Sequence, residues 1–325
     1  MGVGVGVGDR RVGSGRVAAG RQGGTPSAAS PAVDSVYTFV MTANLATLRV
    51  SCPDRKGIVA ALAQVLYGHG ANILDADQHA DSLAGMFFQR LRVDMASLTT
   101  DRVSLETGIR EVGERFGMSW KLAYGSQVRR VAVFASKQDH CLYDLLIRHR
   151  AGELPCEITM VVSNHADAEP IARHFGVAFH HLPVTAETRA AQEAAVIELC
   201  ERAKIDLIVL ARYMQILSSE LVARYAGRII NIHHSFLPAF VGANPYRQAY
   251  EKGVKLIGAT SHYVTAELDQ GPIIEQATIR CSHSDAIEDL VRKGRDLEKV
   301  VLANAVRWHL EDRVLVYAGK TVVFD

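Results

Sequence analysis

Apolar and polar positions along the chain change period several times, and the changes divide it into elements. LRVSC (48–52) alternates with a period of two, as a strand with one buried face does. PDRKG (53–57) interrupts the alternation. Ile58, Leu62, Val65 and Leu66 then recur at the spacing of a helix that runs to Tyr67 and stops at Gly68-His69-Gly70. ANILDADQHA and GMFFQRLRVDM read as two strands joined by a turn at Asp81-Ser82-Leu83-Ala84. A second helix covers 101–116, and SWKLAY (119–124) closes the unit. The order is βαββαβ, a ferredoxin-like rhythm.

After Gly125 the pattern becomes strand, helix, strand, helix. RRVAVFAS (129–136), CEITMVVSN (156–164), DLIVLA (206–211) and RIINIHHS (228–235) are the strands, with helices over 140–150, 168–176 and 187–202 between them. Near-continuous apolar strands alternating with helices predict an open, mostly parallel sheet covered on both faces. KLIGATSHYV and GPIIEQATIR add two strands, and a helix near 285–310 carries Ile287, Leu290, Val291, Leu297 and Val301 on its inner side. VLVYAGKTVVF reads as a hairpin turning at Ala318-Gly319. The fold class is therefore α/β: a small ferredoxin-like unit over 45–124, then a Rossmann-like sheet over 125–325.

Residues 1–34 lack this patterning. They are rich in Gly, Ser, Pro and Arg, with valine the one large apolar side chain, and such a segment buries too little surface to offset its ordering entropy. A disordered tail over 1–40 is expected, and the absence of leucine and aromatic residues weighs against an amphipathic presequence. Net charge is +1, so a large basic surface for nucleic acid is not expected. The five cysteines are scattered, without a CxxC pair, which suits reduced thiols in a cytoplasmic protein. No apolar run reaches the length of a membrane span. The thirteen histidines show no metal-ligand spacing, so no metal site is expected.

The chemistry concentrates in RIINIHH. Ligands of open parallel sheets sit beyond the carboxyl ends of the strands. Side chains alternate along a strand, so Asn231 and His233 point one way while Ile230 and Ile232 point the other. An amide and an imidazole thus emerge together, followed by the turn HSFLPAFVGANPY with its two prolines. GATSHYVTAELDQGPIIEQ places His262 near a strand end and Asp269 in the loop before Gly271-Pro272, where a carboxylate can hold the His233 ring. Taken singly, such a histidine is a satisfied core residue and an aspartate before glycine is a turn residue.

The motifs NIHHSFLP and GATSHYVTAELDQGPII together resemble the folate-dependent formyltransferases, which include glycinamide ribonucleotide transformylase and methionyl-tRNA formyltransferase. The resemblance covers about 129–310 and implies a catalytic trio of Asn231, His233 and Asp269, supported by His262. It implies a pterin site lined by Met214, Gln215, Ile216 and Leu217 of LARYMQILS (210–218), with Val264 to Asp269 opposite. HHSFLPAF, GANPYRQAYEKGVK and GRDLEKVV resemble more narrowly the formyltetrahydrofolate deformylases, in which a regulatory ACT domain precedes the catalytic domain. CPDRKGIVAALA is similar to the first strand, turn and helix of an ACT domain.

What this implies is hydrolysis of 10-formyltetrahydrofolate to formate and tetrahydrofolate, with folate as substrate and no permanently bound cofactor. It also implies a homo-oligomer and an amino-acid effector near Asp54 and Gly57, with Asn72 contributed by a partner subunit. One departure bears on the acceptor. The transformylase cradles a substrate phosphate in a glycine-rich loop after its first strand, whereas ASKQDHCLYD (135–144) has no glycine there, which leaves water as the natural acceptor. Transfer to a small amine, and a folate-binding regulator without catalysis, stand as alternatives.

Overall fold

The structure, a computed structural model, describes residues 1–2, 44–238 and 245–325. Most of the expected tail over 1–40, and part of the turn HSFLPAFVGANPY, lie outside the described residues.

The first unit contains β1 (Leu45–Pro53), α1 (Ile58–Gly68), β2 (Asn72–Asp81), β3 (Met86–Asp94), α2 (Arg102–Phe116) and β4 (Ser119–Tyr124). Its sheet has the order β2-β3-β1-β4, with every neighbouring pair antiparallel. Alternation in β1 sends Ala46, Leu48, Val50 and Cys52 into a core with Ile58, Leu62 and Leu66 of α1 and Leu105 and Ile109 of α2. Each large aliphatic side chain buried there contributes about 1.5–3 kcal/mol. The Asp101 carboxylate caps α2 by accepting from the Ser104 amide at 2.7 Å.

The second unit contains β5 (Arg129–Ala135), α3 (His140–Arg150), β6 (Cys156–Ser163), α4 (Glu169–His174), β7 (Ala178–His181), α5 (Arg189–Arg202) and β8 (Leu207–Ala211). It continues through α6 (Ser219–Arg224), β9 (Ile229–His233), α7 (Pro245–Glu251), β10 (Leu256–Tyr263), β11 (Ile273–Arg280) and α8 (Ile287–Leu310) to the hairpin β12 (Val314–Tyr317) and β13 (Lys320–Val323). The seven-stranded sheet has the order β11-β10-β9-β8-β5-β6-β7. Strands β9 to β7 are parallel to their neighbours, while β10 and β11 run antiparallel. Both faces are covered. Val131, Val133 and Ala135 of β5 pack with Leu142 and Leu145 of α3 and with Val301 and Leu302 of α8. Ala132 and Phe134 pack with Val196 and Ile197 of α5 and Leu221 of α6 on the other side. The chain leaves β5 toward β6 and β7, then returns to β8 and β9. The topological switch therefore falls between β5 and β8.

The face of the small sheet that the helices leave uncovered docks on the end of α8. Arg49 and Arg90 sit opposite one another on β1 and β3, a pairing that repels unless anions intervene. Asp312, just past α8, forms an ion pair with Arg49 at 2.9 Å and with Arg129 at 2.5 Å. Arg90 donates to the Asp312 carbonyl at 3.2 Å, completing a cationic cap on the negative end of the helix dipole. Phe88 meets Tyr317 edge-on at 5.3 Å.

Candidate active site

Strand β9 delivers Asn231 and His233 to one face, as its alternation requires, and β10 lies antiparallel beside it with His262 paired to Asn231. The Asn231 Nδ2 atom lies 3.3 Å from His262 Nε2. The His262 Nδ1 atom is 2.9 Å from the Tyr263 carbonyl, which fixes the ring and turns Nε2 toward Asn231 and Asp269. His233 and His262 are both buried.

Asp269 reaches this strand pair from the loop after β10. Its Oδ2 lies 3.3 Å from His233 Nδ1, and its Oδ1 lies 3.6 Å from His262 Nε2. The loop turns sharply to bring it there. Asp269 adopts φ 54°, a left-handed conformation that aspartate tolerates better than most residues. Gly271 lies so close to β10 that a Cβ would fall 1.6 Å from the Tyr263 carbonyl oxygen. The Tyr263 amide donates to the Pro272 carbonyl at 2.9 Å and closes the loop. His233 first, then His262, hold the Asp269 carboxyl well below the usual carboxylate range, against the opposing effect of burial. The carboxylate therefore stays charged at neutral pH and orients the His233 ring through Nδ1. The opposite ring atom, His233 Nε2, is buried and has no hydrogen-bond partner among the described residues.

The segment after β8 is fixed from two sides. The Met214 amide donates to Ser136 Oγ at 3.1 Å, beyond the end of β5, and Ser136 donates to Asn164 Oδ1 at 2.6 Å. The Ser218 amide donates to Glu193 of α5 at 2.8 Å, and Arg189 donates to the Ile216 carbonyl. Gln215, Ile216 and Leu217 line a narrow cleft of about 10 Å³ with Phe134, Val184 and Tyr213. Val264 packs against the same apolar cluster as Leu217. Met214 is 60% exposed, Ile216 58% and Leu268 63%, so apolar side chains stand uncovered at the strand exits.

The residues proposed for an effector behave differently. Gly57 caps α1 with φ 94°, and the Asp54 amide donates to the Gly85 carbonyl at 2.9 Å. Pro53 and Asp81 both pair with Met86 at one end of β3, whereas Asn72 pairs with Asp94 at the other. Asn72 and Gly57 thus occupy opposite ends of the sheet, and only a second copy can bring an Asn72 to this turn.

Sequence reasoning did not single out His234, Arg212, His140, Tyr246 or Glu298. Rings His233 and His234 lie 5.2 Å apart, and His234 lies 6.1 Å from Tyr246. Burial, then the Arg212 charge, push the His234 value down to about 4, so this ring is neutral at pH 7. Burial and neighbouring arginines push His309 down to about 3. Both histidines favour the folded state in their neutral form. Their contribution is complete above the unfolded value of about 6.5 and is lost as pH falls toward about 4. The Asp269 contribution has a separate window, being lost only below about pH 4. A melting-temperature series from pH 7 to 4 is expected to decline, and His234→Gln to decline less steeply. Identical slopes would show that His234 protonates freely in the folded protein.

A ferredoxin-like unit ahead of an open sheet, with amide, imidazole and carboxylate converging at the strand exits, defines an ACT-containing protein of the formyltransferase class. The family model for formyl transferase matches residues 129–306, and that for the ACT domain matches 46–114. A formyltetrahydrofolate deformylase of Synechocystis sp. is 53% identical over 86% of this chain and 98% of its own length. The crystal structure of a formyltetrahydrofolate deformylase from Pseudomonas syringae pv. tomato superposes with a TM-score of 0.85 at 46% identity, covering 90% of this chain and 99% of that one. Glycinamide ribonucleotide transformylase 1 of Symbiobacterium toebii gives 0.58 at 35% identity, over 61% of this chain and 95% of its own. The chain belongs to the formyltetrahydrofolate deformylase family. Among its described residues, no helix is long and apolar enough to cross a membrane.

Proposed function

We propose that the chain hydrolyses 10-formyltetrahydrofolate to formate and tetrahydrofolate, with Asn231, His233 and Asp269 as its catalytic residues. The observation that carries this reading is the His233 ring. One nitrogen is held against a charged carboxylate, while the other is buried with no hydrogen-bond partner among the described residues. Such an atom is expensive in a finished core and useful beside a developing oxyanion.

In this mechanism the folate lies along Met214, Gln215, Ile216, Leu217 and Val264, with its formyl group at the ends of β9 and β10. Water adds to the formyl carbon. Asn231 Nδ2 and protonated His233 Nε2 donate to the oxygen as it takes on negative charge. Asp269 steadies the imidazolium and receives the attacking water, and His262 supports both Asp269 and Asn231. The C–N10 bond then breaks, N10 takes a proton, and formate leaves. Formate released in this way would feed purine synthesis and balance the one-carbon folate pool. A free amino acid bound near Asp54 and Gly57, with Asn72 of a second copy, would regulate the rate in a homo-oligomer.

The test is incubation of the protein with 10-formyltetrahydrofolate and no added acceptor. Formate and tetrahydrofolate are expected to accumulate in equal amounts. Unchanged folate would refute the hydrolytic reading.

A further inference from the structure

The crevice between the exits of β5 and β8 is where an open α/β sheet takes ligands. Here it is filled by side chains that the hydrolytic mechanism does not use. Arg212 directly follows β8 and is 7% exposed, while Glu298 reaches in from α8 and is 1% exposed. His140, from the segment after β5, places Nε2 2.8 Å from Glu298 Oε2. The Tyr246 hydroxyl donates to Glu298 Oε1 at 2.6 Å, and Arg212 Nε stands 3.5 Å from Glu298 Oε2. Three side chains from separate segments converge on the one carboxylate that α8 carries.

The fold also accommodates this cluster at a cost. Arg212 adopts φ 62°, a left-handed conformation that a Cβ-bearing residue takes up at a cost. A Cβ on Gly294, one turn before Glu298, would fall 2.0 Å from the Tyr246 hydroxyl oxygen, so α8 is left bare where the tyrosine is seated. Stability alone does not account for the cluster, because well-packed apolar side chains fill such a space as well as buried ions do. Nor does it suit a cation. His140, Cys141 and Glu298 bring potential ligand atoms within 4.8 Å of one another. Both Glu298 oxygens are already engaged, however, the Arg212 charge stands beside them, and burial keeps the Cys141 thiol protonated. The cluster is continuous with the candidate active site through Tyr246, His234 and His233.

We infer that Arg212, Glu298, His140 and Tyr246 form a plug that sets the acceptor: it closes the crevice to amines and leaves room for water at the formyl carbon. The inference rests on the hydrolytic reading and deepens it. Water and an amine would react alike. Either adds to the formyl carbon, the C–N10 bond breaks with its electron pair returning to N10, and one proton lost by the nucleophile balances the one N10 gains; in hydrolysis the formic acid then releases its own proton to solvent as formate. Access alone separates hydrolysis from transfer.

Arg212→Gly opens the crevice and relieves the left-handed backbone, and His140→Ala opens it from the opposite wall if Arg212→Gly fails to fold. The full chain and each variant are given 10-formyltetrahydrofolate with and without glycinamide as the probe amine. Formate and N-formylglycinamide are counted by mass spectrometry. The unaltered chain is expected to yield formate alone, and the variants to raise the ratio of transfer to hydrolysis by about tenfold or more. A loss of packing without a plug would slow both products together and leave that ratio unchanged. The inference is overturned if a folded variant that turns over folate forms no formylated amine, or if the unaltered chain already transfers at the variants' ratio. The acceptor-free arm reports separately on hydrolysis itself, since absence of formate from the unaltered chain there defeats the underlying reading.

Discussion

Asn231→Ala, His233→Ala and Asp269→Asn are each expected to fold normally and to lose about a hundred- to a thousandfold in formate release. The loss comes from different parts of one device. Asn231 removes a fixed donor, His233 removes the atom left without a partner, and Asp269 removes the charge that orients the ring. Asparagine is the suitable replacement at 269 because it tolerates the left-handed backbone there, so the variant tests charge rather than strain. The double variant His233→Ala/Asp269→Asn is expected to lose far less than the product of the two single losses, because the residues act as one unit on the same transition state. Steady-state kinetics with melting curves check this. Multiplicative losses would mean that Asp269 works independently of His233.

Gly271→Ala is expected to disable the enzyme from outside the catalytic trio. The added Cβ would fall 1.6 Å from the Tyr263 carbonyl oxygen, which the backbone of β10 cannot accommodate. The loop must lift, the Tyr263–Pro272 hydrogen bond must open, and Asp269 two residues earlier must leave the histidines. Catalysis is expected to fall about as far as in Asp269→Asn, with a stability loss of about 1–3 kcal/mol from overpacking. Gly176→Ala is the control: Gly176, unlike Gly271, has a positive φ, so an added Cβ there strains the backbone, yet nothing lies within 4 Å of it. That variant is expected to show backbone strain in its melting temperature and unchanged kinetics. Near-normal turnover in Gly271→Ala would separate the loop from the chemistry.

Much of this site is legible in the sequence because strands have a period of two. Asn231 and His233 fall on one face by alternation alone, and His262 joins them because the next strand runs back beside the first. Asp269 depends on the resemblance, since spacing reveals neither its left-handed turn nor the bare glycine that makes room for it. The plug is not legible. Arg212 and Glu298 meet only because the chain crosses from one side of the sheet to the other and α8 then returns over it. The short edge strand β7 escapes notice because AFHH has no alternation long enough to register. The helix α7 begins at Pro245, within the stretch HSFLPAFVGANPY that the sequence pattern marks as a turn. For the proposed effector site, the expectation that Asn72 comes from a partner subunit agrees with the register. The register of β3 sends Gly57 and Asn72 to opposite ends of the sheet, so one subunit does not bring them together.

The most direct test is a turnover of 10-formyltetrahydrofolate in water labelled with oxygen-18, with no amine present. Direct attack by water predicts one labelled oxygen in every formate and one tetrahydrofolate for each formate formed. Unlabelled formate, or a formyl group recovered on the protein or another amine in its place, would contradict it.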